Sequence, residues 1–230
     1  MNDQNTSRKR SILPLCGIAG PAIIGLGALV SALAYVGRAG EHYSPLNHFV
    51  SELGELGVSD LAAVFNGGLF IGGILTTCFM VYLALQLEHW MRYPLGILSV
   101  IAAVCGALVG VYPMNLLEPH IRVALAFFNL GMLISFLYSF VFLFSRRHPF
   151  PRWLAIPGFL NAAAFTLFLN YPSDFDAAAS DLEGFMQGFL MDRPDLIPLA
   201  LLEWVVVLGI LVWILLLGIY LFTNGAANAR

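Results

Sequence analysis

Charged residues are scarce in this chain: 11% of its 230 residues, against 59% hydrophobic ones. Soluble domains carry about a quarter charged residues. There are too few here to coat a water-facing surface, which excludes a soluble globular class. Cysteine is scarce as well. Cys16, Cys78 and Cys105 all sit inside apolar runs, no loop holds a pair, and a disulfide framework is not expected. Buried apolar thiols are the plain reading. The sequence has no Cys/His cluster at zinc-finger spacing, no glycine-rich phosphate loop and no basic nucleic-acid patch, so no nucleic-acid partner is expected. Histidine is missing from the interiors of the apolar runs. His42, His48, His89, His120 and His148 lie in or beside loops, and membrane haem, which wants His within spans, is not expected.

What the chain does have is long apolar blocks, with a mean hydropathy of +0.82. Six of them, 12–36, 61–87, 95–114, 121–145, 153–170 and 199–223, come close to the ~20 residues that cross about 30 Å of hydrocarbon. Lipid offers backbone groups no partner, so each must be a helix. The expected fold is all-α: one six-helix transmembrane bundle over 12–223, with short amphipathic helices in the outer loops. Tails 1–11 and 224–230 flank it. Arg8, Lys9 and Arg10 precede the first block, and Ala32-Leu33-Ala34 resembles a cleavage site. A signal-peptide core has about 7–15 apolar residues and this block is longer, so it reads as an uncleaved span. Leu13-Pro14-Leu15-Cys16 lacks the preceding apolar stretch of a lipoprotein box.

Orientation follows from the basic residues. With the N-terminus inside, inner segments hold Arg8, Lys9, Arg10, Arg92, Arg146, Arg147, Arg152 and Arg230, and outer ones only Arg38, Arg122 and Arg193. That satisfies the positive-inside rule and places both termini in the cytoplasm. Among the acids only Asp3 and Glu88 fall inside, and the outer bias of the others points to function on that side. Gly68 with Gly72 and Gly106 with Gly110 form small-xxx-small patterns, which serve internal packing or self-association. A short repeat pairs Ala63–Gly68 with Ala126–Gly131 and Tyr112–Asn115 with Tyr171–Asp174, so spans two–three and four–five read as duplicated hairpins.

Two outer loops carry most of the information. In the first, Ser44-Pro45 reads as a helix start, with Ser as N-cap and Pro in the first turn, and Gly54 as its stop. Leu46, Phe49, Val50 and Leu53 then share one face, and His48, Ser51 and Glu52 the other. The helix either lies at the interface or turns its polar face into the bundle to form a site. Asn115, His120 and Glu203 are the groups that would complete such a site, and a carboxylate about one turn inside a span is a functional hypothesis by default. In the last outer loop Ser173, with Asp176, reads as a cap. Leu182, Phe185, Met186, Phe189 and Leu190 follow amphipathic-helix spacing, ended by Asp192-Arg193-Pro194.

The run Tyr43-Ser44-Pro45-Leu46-Asn47-His48-Phe49-Val50-Ser51-Glu52-Leu53-Gly54, followed by Phe65-Asn66-Gly67-Gly68, resembles the signature of the domain of unknown function 998 family. These are six-helix membrane proteins of bacteria and archaea. The family pattern has Ser-Glu-Leu-Gly after span one, Asn early in span two, a Phe-Pro-x-Asp-like end of span three and a His before span four. The counterparts here are Ser51–Gly54, Asn66, Tyr112-Pro113-Met114-Asn115 and His120, with Asn115 where the family has Asp. The resemblance covers residues 12–145 in detail and the rest by topology. It implies a fold, a site and a bacterial or archaeal cytoplasmic membrane, without a chemistry.

Three functional readings stand open. The first, and preferred, is binding or movement of a lipid-like or small-molecule ligand from the outer side through His48, Ser51, Glu52, Asn66, Asn115, His120 and Glu203, among membrane lipids. The second is a metal-dependent intramembrane hydrolase. His48, His120 and Glu52 or Glu203 would hold a divalent metal, three protein ligands plus water being a usual catalytic arrangement. The third is a structural membrane protein.

Overall fold

The computed structural model describes residues 12–88, 90–172 and 193–227. They form six long helices: α1 (Leu13–Ala34), α2 (Ala62–Leu85), α3 (Arg92–Val109), α4 (Leu117–Phe144), α5 (Ala155–Leu169) and α6 (Pro198–Ala227). Each is long and apolar enough to cross a membrane, α5 together with the 3-10 turn Arg152–Leu154 that leads into it. Among the described residues there is no strand beyond one isolated bridge between Val36 and His42. The all-α, six-span expectation holds, and the protein is an integral, multi-pass membrane protein. The tails up to residue 11 and from residue 228, and the helix expected around Leu182–Leu190 with its cap at Ser173, lie outside the described residues.

Each helix packs against its neighbours in sequence, and α6 packs against both α5 and α1, so the six close into a ring. Connections 35–61 and 110–116, with the described residues 170–172 and 193–197, gather at one end, called the loop end below. At the opposite end Glu88 N–H donates to the Arg147 carbonyl at 2.9 Å, joining the two short turns there. In lipid there is little hydrophobic drive between helices, and close van der Waals approach takes its place. A Cβ on Gly72 would stand 2.8 Å from the Gly20 carbonyl oxygen, and Gly27 and Gly68 face each other at ordinary contact. Gly218 backs onto the Gly17 backbone, where an added Cβ would meet the carbonyl carbon at 2.7 Å. The first contact joins α1 to α2 and the second closes the ring at α6. Gly106 faces Phe127 of α4 and Gly110 faces Asn66 of α2, so both small-xxx-small patterns serve internal packing.

Away from the loop end the ring is filled by Phe79, Leu83, Tyr138, Phe142, Trp213 and Leu217, all fully buried. Trp213 Nε1–H donates to the Leu154 carbonyl at 3.0 Å. The matched asparagines of the sequence repeat behave differently. Asn66 is buried and donates to the Gly54 carbonyl at 2.9 Å, whereas Asn129 is exposed and donates to Leu125 one turn back in its own helix.

Candidate functional site

Residues 35–61 fold back onto the loop end as a cap. Gly37 N–H donates to the Glu41 carbonyl at 2.8 Å, and Gly40, at φ 83°, supplies the left-handed residue of that turn. The helix expected from Ser44 to Gly54 does not form. Residues 45–48 make a turn, Phe49 is extended (φ −67°, ψ 149°), and only Val50–Gly54 is helical, as a 3-10 segment. The reason lies in a distant part of the chain. An α-helix through this region would bond Val50 N–H to the Leu46 carbonyl. Instead the Leu46 carbonyl accepts from Ile197 N–H at 2.8 Å, and Val50 N–H donates to Glu203 Oε2 at 2.6 Å. Glu52 then caps the shortened segment, accepting from Phe49 N–H at 2.8 Å.

The interfacial placement is also not what is found, because the polar side chains point inward. His48 and Glu52 are each 1% exposed, while Leu46 is 51% exposed. Glu52 accepts from Arg193 at 2.6 and 3.1 Å, and Arg193 also donates to the Asn47 carbonyl. Burial pushes the Glu52 carboxyl above its ordinary range, and the Arg193 guanidinium pulls it back. His48 Nδ1 lies 2.8 Å from Asn47 Oδ1, and its Nε2 lies 3.9 Å from Glu41 Oε1 without a hydrogen-bond partner. Tyr35 and Tyr43 flank its ring at centroid distances of 5.3 and 5.0 Å. Burial, then the charge of Arg193, hold its pKa down to about 4, so the ring is neutral at pH 7.

Neighbouring elements hold the cap on several sides. From α1, Ser31 donates to the Leu61 carbonyl at 3.0 Å. From α2, Asn66 binds Gly54. From the α3–α4 connection, Asn115 accepts from Leu56 N–H at 2.6 Å and donates to the Leu56 carbonyl at 2.9 Å. In the approach to α6 the Pro194 carbonyl accepts from Asn47 Nδ2 at 3.0 Å, and from α6 itself Trp204 Nε1–H donates to the Tyr43 hydroxyl at 2.8 Å.

Beneath the cap, inside the ring, lies a cavity of about 110 Å³. Its walls are apolar, with Phe65, Phe127, Phe128 and Ile210 among them, and its polar groups are few. Ser51, His120 and Glu203 stand at the cap, and Thr76 lies deeper. Thr76 Oγ1 is buried without a partner. His120 Nδ1 is 2.8 Å from the Tyr112 carbonyl oxygen. That oxygen can only accept, so Nδ1 carries the proton, and in the neutral ring Nε2 is an acceptor. The arrangement matches the general form of a ligand site, an apolar pocket with a few convergent polar groups.

The candidate residues therefore divide. Ser51, His120 and Glu203 meet at the cavity; His48 and Glu52 face the other side of the cap; Asn66 and Asn115 fasten the cap to its surroundings. Of the groups expected within reach of a buried His48, namely Glu52, His120, Asn115 and Glu203, none bonds to it. Among the described residues no group of three His, Cys, Asp or Glu side chains is placed to hold a metal. Sequence reasoning missed Arg193, Tyr35, Tyr43 and the aromatic cavity walls. A signal for Arg193 was present, since it is one of only three basic residues among the segments that the basic-residue count assigns to the outer side. All three are ion-paired in the structure: Arg38 with Glu55, Arg122 with Glu118 and Arg193 with Glu52.

A comparison with curated proteins yields no match, and one with solved structures yields none either. The family model described as Protein of unknown function (DUF998) matches residues 23–220, and with its fold and cap in view the chain belongs to that family.

Proposed function

We propose that the protein binds an amphiphilic ligand in the cavity beneath its cap, the apolar part among Phe65, Phe127 and Phe128 and the polar part at Ser51, His120 and Glu203. One observation carries this: a carboxyl and an imidazole, each more than nine-tenths buried, open onto a largely apolar space. Groups buried this deeply cost stability unless something answers their polarity. The cap faces the outside of a bacterial or archaeal cytoplasmic membrane in this reading, as the basic-residue bias favours. Metal-dependent hydrolysis fits less well. It needs His48 to share a point with His120 and with Glu52 or Glu203, and none of these three groups bonds to His48.

Filling the cavity tests the reading. Wild-type protein and Ala103→Leu, which places a larger side chain in the cavity wall, are purified from the same membranes, and retained amphiphiles are extracted and identified by mass spectrometry. The wild type should carry a species that the variant lacks. Identical profiles, with both proteins folded, would sink the proposal.

A further inference from the structure

We infer that the head group held at the cap is a cation with several N–H donors, an organic ammonium, and that Glu203 selects it. This rests on the cavity being a ligand site. Glu203 is 8% exposed and lines the cavity. Its carboxyl accepts from the backbone N–H groups of Val50 and Ser51, dipoles and not charges. Among the described residues it has no ion-pair partner, because the three arginines of the loop end are each committed to another glutamate. The cap and its base thus bring four glutamates, Glu41, Glu52, Glu55 and Glu203, against two arginines, Arg38 and Arg193. His48 adds no positive charge at neutral pH. The excess is acidic.

The other groups at the cavity's polar end agree in sign. His120 presents Nε2 as an acceptor once Nδ1 is committed to Tyr112, so both of its principal polar groups, a carboxylate and an imidazole nitrogen, ask for a donor. A carboxylate or phosphate head would meet acceptors and no free cation. A hydroxyl can satisfy one acceptor and brings no positive charge to the carboxyl. An ammonium supplies several donors and the missing charge at once, and the nearby phenylalanine rings tolerate a cation. The cavity is smaller than the ~150 Å³ void that holds a benzene ring in an engineered protein core. It therefore encloses the head and the first few carbons, and the rest of the chain leaves it.

The test compares three probes of equal chain length, dodecylamine, dodecanol and dodecanoate, in phosphatidylcholine nanodiscs at neutral pH. Ligand-induced rise in Tm reports affinity. Dodecylamine should bind the wild type about tenfold more tightly than either other probe, the scale of a hydrogen bond to a charged group. Glu203→Gln should remove that advantage and leave the dodecanol response. Glu118→Gln, which changes an exposed charge at the same end, should keep the advantage. If dodecanol or dodecanoate matches the amine on the wild type, or if Glu203→Gln keeps the amine preference, the ammonium assignment is wrong. Should Glu203→Gln fail to fold, the wild-type ranking decides alone. Ala124→Leu, on the cavity wall, separates the two proposals. If it leaves every response unchanged, the cavity itself is not the site.

Discussion

Arg193 and Glu52 meet through two N–H···O contacts of 2.6 and 3.1 Å, with 9% and 1% of their side chains exposed. The pair joins the approach to α6 to the middle of the cap. Breaking a buried pair leaves one charge without its partner, at a cost of about 3–5 kcal/mol. Arg193→Ala should destabilise by that amount. The double variant Arg193→Met with Glu52→Gln should recover most of it, since neither charge then remains. Unfolding in detergent, run as a double-mutant cycle, measures both. A loss below about 1 kcal/mol for Arg193→Ala would mean the pair behaves as if on the surface.

Acid should loosen the cap through His48. Its pKa is about 4 in the folded protein against an ordinary 6.5. As pH falls the unfolded chain takes the proton first, so the contribution is complete above pH 6.5 and is lost between 6.5 and 4. At ~1.4 kcal/mol per unit of pKa the full loss is about 3 kcal/mol. Glu52, pushed the other way, works against this as it takes up a proton. The informative quantity is therefore the difference between wild type and His48→Gln. The wild type should lose more stability than the variant across that range, and parallel curves would contradict the assignment.

Asn115 stands where the family pattern has an aspartate, and the structure says what the exchange costs. Asp keeps the acceptor for Leu56 N–H and loses the donor to the Leu56 carbonyl. Asn115→Asp should cost about 1 kcal/mol, one hydrogen bond, and Asn115→Ala more. If Ala proves the milder change, the side chain is not a fastening for the cap.

Topology is open to a direct check. Reporter fusions after Glu88 and after Arg147 should read as cytoplasmic, and one after Asp181 as outside. Reversal at any of the three would overturn the proposed orientation.

The spans were legible because a membrane helix is written locally, in about twenty consecutive apolar residues. The cap was not, because its conformation is set by residues that lie far away in the chain. Ser44-Pro45 carries a sound local signal for a helix start, yet the Leu46 carbonyl and Val50 N–H bond to Ile197 and Glu203. No window of local sequence contains both ends of those bonds. The same holds for the site. The sequence brought out Glu203 by its depth and His120 and Ser51 by motif, and these line the cavity. It linked His48 and Glu52 to them through a helix periodicity that the cap does not have.

The dependence of the cap on α6 also sets an order of assembly. Val50 precedes its carboxylate partner by 153 residues, and Glu52 precedes its guanidinium partner by 141. At about 5–20 residues added per second, that gap amounts to about 7–30 seconds of synthesis. For that interval the nascent chain has its first spans made, while Glu52 lacks its countercharge and the ring has an open side towards lipid. A chain halted before Arg193 would present Glu52 without its countercharge and, at Gly17, a helix face without the backbone that packs on it.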